Sequence, residues 1–146
     1  MAEAIAKQIA SDIIEPSSAG LVAFGEITRP TLAVLEEHGI SAAGQRSKTL
    51  RPEHMSETDL LINMSGRSTA AIFDGPLPPA EDWDVGDPFG LDLAIYRNIR
   101  DQIEARVQDL ALRLRKRADA NENVPVSRDE AGPDLDMDPK AKTDAA

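Results

Sequence analysis

The sequence contains no cysteine in 146 residues. That absence excludes disulfides, thiolate metal sites and thiol catalysis by any residue of this chain. Aromatics make up 3% of it, so Ala, Leu, Ile and Val must build most of the core. There are two histidines, His38 and His54, and they make no metal-ligand spacing; neither a metal nor a cofactor is implied. No apolar run is long enough to span a bilayer. The first residues, Met1-Ala2-Glu3-Ala4-Ile5-Ala6-Lys7-Gln8, carry an early acid and no apolar stretch of signal-peptide type, which makes a cytoplasmic location the default. Positive charge is also short. With 16 Lys and Arg against 26 Asp and Glu, the net charge is −10, which argues against nucleic acid or an anionic membrane as partner.

What is present is centred on Ala80 to Leu114. Trp83 and Val85 alternate with acids, as on a short strand with one buried face. Gly86 and Pro88 end the ladder, one lacking a side chain and the other an N–H. Pro88 biases Asp87 towards an extended backbone, so that its carboxylate projects from the loop. Two readings of Asp87 stand side by side. One is an Asx-type turn residue, favoured on this stretch alone; the other is a general acid on a rigid loop, with Phe89 as an apolar wall beside a substrate. After Gly90, Leu93, Tyr96, Ile99, Ile103, Val107, Leu110 and Leu114 recur every three or four positions, the stripe of a helix lying on a core.

In chain order, Ile5, Ile9 and Ile13 predict a helix over residues 2–14, without an N-cap and ended by Pro16. Residues 17–22 read as a short strand leading to a glycine-containing loop. Thr28 caps a second helix over 30–38, with Pro30 in its first turn, Leu32 and Leu35 on its apolar face and Gly39 at its end. Pro52 and Glu53 open a helical turn. Leu60 to Met64 is a continuous apolar run of strand length, as expected for a strand covered on both faces. Ser65 to Phe73 is expected to hold a short helix, and the last helix is expected over 91–116. Helices alternating with short buried strands imply an α/β fold with a parallel sheet. At 146 residues the chain has room for one domain, assigned to residues 1–118. Residues 119–146 carry eight acids, three bases and three prolines, the composition of a disordered acidic tail.

The order of these motifs resembles the low-molecular-weight protein tyrosine phosphatase family, whose fold is shared with arsenate reductases. The resemblance rests on Met1-Ala2-Glu3-Ala4 opening a helix, Ser18-Ala19-Gly20, Gly39-Ile40 through Gly44-Gln45-Arg46-Ser47-Lys48, and Trp83-Asp84-Val85-Gly86-Asp87-Pro88-Phe89. It implies a three-layer, doubly wound parallel sheet over residues 1 to about 115. Asp87 then falls on the family's general acid, and Phe89 falls near the wall of its phosphotyrosine pocket. The implied substrate is a phosphotyrosine protein or a small phosphate ester.

One part of the pattern is missing. In the family, the first strand runs into a Cys-x5-Arg-Ser loop directly before the Met-Ala-Glu-Ala helix, supplying the nucleophile and the phosphate cradle. This chain begins at Met1 and has neither, so it is expected to be an N-terminally truncated, inactive form, the product of a start codon placed too far downstream. Two alternatives stay open. One is a non-catalytic phosphatase-like binding protein. The other is a single-cysteine arsenate reductase relative, since Ser65-Gly66-Arg67-Ser68 holds no thiol where thioredoxin-coupled members need cysteines.

Overall fold

The computed structural model describes residues 1–123. Its elements are α1 (Ala2–Ile9), α2 (Arg29–Glu36), α3 (Pro52–Ser56), β1 (Leu61–Asn63), α4 (Thr69–Ile72), β2 (Ala80–Asp82) and α5 (Leu93–Glu122). The fold is α/β. β1 and β2 run parallel, with Leu61, Ile62 and Asn63 opposite Ala80, Glu81 and Asp82. α1 and α2 both pack against α5. The core between them is built from Ala4, Ile5, Ala10, Leu35, Ile40, Trp83, Val85, Ile99, Ile103, Val107 and Leu110. Small alanines let α1 approach α5 closely while Ile5, fully buried, fills the space between them.

The α5 stripe is buried as its periodicity predicts at Tyr96, Ile99, Ile103, Val107 and Leu110, whereas Leu93 stays exposed. The helix runs further than expected. Residues 119–122, assigned to the tail, are helical, and Asn123 closes the last turn with its N–H and its side-chain amide on the Asp119 carbonyl. Alanines at 118 and 120 favour helix, and the first helix-breaking proline is Pro125. The rest of the expected tail, from residue 124, lies outside the described residues.

Four further expectations are corrected. The first helix stops at Ile9 instead of Ile14, because Ala10 leaves helical geometry and Ser11 and Asp12 suit a helix interior poorly. Asp12 instead pairs with Arg115 at 2.7 Å, and the same guanidinium takes the Ile9 carbonyl. Residues 17–22 form no strand: Gly20 alone makes a parallel bridge, to Thr49, through bonds of 2.8 Å to the Lys48 carbonyl and from the Leu50 N–H. Leu21 and Val22 are exposed, so no burial holds the segment flat. On α2 the buried pair is Val34 and Leu35, with Leu32 exposed. Thr28 sits at the N-cap position, but its hydroxyl meets the Thr31 hydroxyl at 3.0 Å rather than a backbone N–H. Gly39 ends the helix as expected: its φ of 67° lets the Ile40 N–H return to the Leu35 carbonyl at 3.0 Å.

Among the described residues no helix is long and apolar enough to cross a membrane.

Candidate active site

The residues that position the Asp87 loop come from β2 and α5. Trp83 continues β2, donating its N–H to the Asn63 carbonyl at 2.8 Å, and both Trp83 and Val85 turn into the core. Arg113 forks onto Glu81 at 2.8 and 3.0 Å, and Glu81 also accepts from the Trp83 indole at 3.1 Å. These bonds, the Arg113 fork first, hold the Glu81 carboxyl below the usual range against the opposing effect of burial. Arg106 lies over the Trp83 ring at 5.9 Å and donates to the Asp84 carbonyl. The loop thus leaves a braced strand end.

Within the loop, the Phe89 N–H donates to Asp87 Oδ1 at 3.0 Å, an Asx turn. The turn reading of Asp87 is therefore geometrically satisfied, and its second oxygen is left for other partners. The loop opens on a cleft of about 260 Å³ lined by Met1, Thr28, Thr31, Met64, residues 85–89, Tyr96, Ile99 and Ile103. Asp87 and Phe89 are thereby brought together at the N-terminal end of α1. Gly86 forms part of the floor, and a Cβ there would stand 3.4 Å from Ile99 Cδ1, so a larger side chain would press on that floor.

Phe24 is the neighbour of Phe89 that sequence reasoning missed. Its ring stacks on Phe89 at a centroid distance of 6.0 Å and 12° between planes. The Phe24 N–H is held by Ser47 Oγ at 3.0 Å, which ties two loops together at the rim. A lone aromatic before Gly25, in a chain with so few aromatics, was the available signal.

Behind the rim, α1 is anchored by a buried acid. Glu3 accepts from Lys7 Nζ at 2.7 Å and from Ser18 Oγ at 2.5 Å. Burial raises its pKa, but those hydrogen bonds and the nearby Lys48 charge outweigh burial and hold the carboxyl below its ordinary value. No side chain caps the first turn of α1.

A second, wider groove of about 540 Å³ lies between β2 and α5. Its charged side chains are already engaged: Arg113 pairs with Glu81 and Asp109, Arg106 bonds the Asp84 carbonyl and Asp82 accepts from Asn63 and Thr69; its lining includes neither Asp87 nor an aromatic pair. The cleft at α1 is the better candidate.

A parallel α/β domain with an aromatic-walled cleft at the start of its first helix defines the class. The sequence profile described as low molecular weight phosphotyrosine protein phosphatase matches residues 1–120, and the chain belongs to that family. The glutaredoxin arsenate reductase of Synechocystis sp. is similar, 30% identical over 121 residues that span 78% of this chain and 87% of that protein. The protein-arginine-phosphatase of Geobacillus stearothermophilus is 32% identical over 115 residues, 69% of this chain and 77% of its own. Among solved structures, a low molecular weight protein tyrosine phosphatase from T. tengcongensis superposes with a TM-score of 0.68 at 25% identity, covering 77% of this chain and 88% of that one.

Proposed function

We propose that residues 1–123 form the acid-and-wall part of a phosphomonoester-cleaving site of the phosphocysteine type. In this reading Asp87 protonates the leaving oxygen, and Phe24 and Phe89 hold an aryl group. The observation that carries the reading is the convergence of Asp87, Phe89 and the start of α1 on one cleft, with Phe24 stacked on Phe89. A helix start with free N–H groups favours an anion by charge and by hydrogen bonding. An acid within reach of the ester oxygen lowers the cost of expelling it.

The 146 residues include no thiol, so on this reading they do not turn over a phosphate ester alone. The nucleophile and the phosphate loop belong to codons preceding that of Met1. The test is to read those codons and express the longer frame. Hydrolysis of an aryl phosphate by the longer protein, absent from the chain as given, supports the proposal. An in-frame stop beside the Met1 codon overturns the misplaced start and favours a non-catalytic binding protein instead.

A second reading, arsenate reduction, draws on the 30% identity to the Synechocystis sp. glutaredoxin arsenate reductase. Arsenate is small and has no aryl group for Phe24 and Phe89 to hold. If the longer protein reduces arsenate with a thiol donor and ignores aryl phosphates, this reading replaces the first.

A further inference from the structure

His38, Asp101 and Glu104 come from distant parts of the chain and meet on the side of the molecule where α2 ends against α5. Asp101 and Glu104 stand three positions apart on α5 and so share a face. His38 follows the last residues of α2, held in place by the Gly39 turn. His38 Nδ1 lies 3.0 Å from Glu104 Oε2, and one ligand-capable atom from each of the three residues falls within 4.8 Å of the other two.

We infer that this seam is a binding site for a borderline divalent ion of the zinc type. An ion bound at about 2.0–2.2 Å by nitrogen and carboxylate oxygen keeps its ligand atoms roughly 3–3.6 Å apart. The His38–Glu104 pair already has such a spacing, and rotation of the Asp101 side chain closes the remainder. One Asp101 oxygen accepts from Arg100 Nε at 2.8 Å, leaving the other to ligate. The charge balance also suits a cation. Arg97 and Arg100 are engaged by Glu37 and Asp101, so the three acids and two arginines of the seam sum to one negative charge. An imidazole among the ligands selects zinc-like ions over magnesium or calcium, which prefer oxygen alone. The partly open face leaves room for water as the remaining ligand.

Such an ion would clamp α2 to α5. Thr28 and Thr31, at the start of α2, and Tyr96, Ile99 and Ile103, on α5, all line the cleft, so the clamp would steady two of its walls. Binding to the folded chain alone also stabilises it by mass action.

The test uses the full, tag-free chain, stripped with a chelator and titrated with zinc chloride by calorimetry, with melting followed in parallel. One ion per chain is expected, with a rise in melting temperature. His38→Ala should weaken binding at least about tenfold and remove that rise, Glu104→Gln should do the same, and His54→Ala should change neither. His38 is exposed, so circular dichroism should show an unaltered fold in its variant. No saturable binding below 1 mM overturns the site. So does binding that survives both His38→Ala and Glu104→Gln, or binding lost with His54→Ala.

Discussion

Phe24 and Phe89 are 76% and 66% exposed, yet they stack on each other. An exposed aromatic pair contributes little to the core, and on the proposed reading it holds an aryl group. Stacking of an aryl group on such a wall is worth about 0.5–1.5 kcal/mol. In a catalytically complete form, Phe24→Ala should therefore lower kcat/KM for aryl phosphates by about two- to tenfold. Alkyl phosphates should be nearly unaffected, and steady-state kinetics on both substrate classes is the check; equal losses on both would rule out a wall that reads the aryl group. Glu37 supports a different prediction. Arg97 donates to it first and foremost, and together with a further bond from Arg100 this outweighs the opposing effect of desolvation and brings the pKa down to about 2. A depressed carboxylate stabilises the folded state above its unfolded value near 4.5, and that contribution is lost as pH falls from there through about 2. Acid unfolding followed by circular dichroism should show a shallower loss over this window in Glu37→Gln than in the parent chain.

At the scale of elements, one buried amide joins the short sheet to α4. Asn63, 8% exposed, donates its Nδ2 to Asp82 Oδ1 at 2.8 Å and to the Arg67 carbonyl at 2.6 Å, while its Oδ1 accepts from the Ser65 N–H at 3.0 Å. Asp82 in turn accepts from the Thr69 N–H and hydroxyl, so β1, β2 and α4 meet on a single network. Asn63→Ala strands several of these groups at once and should cost about 1–3 kcal/mol in urea denaturation. A loss within error would mean that the ladder, not the amide, carries the joint. This network was invisible beforehand, because a continuous apolar run identifies a strand but says nothing of the polar residue that ends it. The same limit explains the other differences. Periodicity located α5 because a long amphipathic stripe depends only on its own residues. It overran α1, where Ala10 leaves helical geometry and Asp12 instead pairs with Arg115, a hundred residues away. It also overstated residues 17–22, since whether Leu21 and Val22 are covered depends on neighbours the segment itself does not encode. The loop that carries Asp87 and Phe89 was legible because Pro88 and the glycines mark it, but the Phe24–Phe89 stack and the His38 cluster come together only through the folding of distant segments.

For the molecule as a whole, the packing of α1 and the Asp87 loop allows a sharper test of the proposed chemistry than the mere presence of activity. On the proposed reading, a thiolate supplied by a longer reading frame would attack phosphorus while the aryl oxygen leaves with a proton from Asp87. Water then cleaves the phosphocysteine to release phosphate. Replacing the upstream cysteine by serine should abolish turnover. Asp87→Ala should act selectively, because an oxygen that leaves as a stable anion needs no proton in the transition state, whereas a poor leaving group does. With acidic phenols as leaving groups the variant should approach the parent, and with weakly acidic phenols it should fall behind by about 10²–10⁴-fold, the usual contribution of a general acid. A plot of log kcat/KM against leaving-group pKa should accordingly steepen in Asp87→Ala. Parallel lines displaced by a constant would mean that Asp87 serves the loop only through its Asx bond to the Phe89 N–H. Asp87→Asn separates the two roles further, since an asparagine oxygen can keep that bond but offers no acidic proton. If Asp87→Asn kept the parent's slope, the turn reading of this residue would stand and the general acid would have to be sought elsewhere on the cleft.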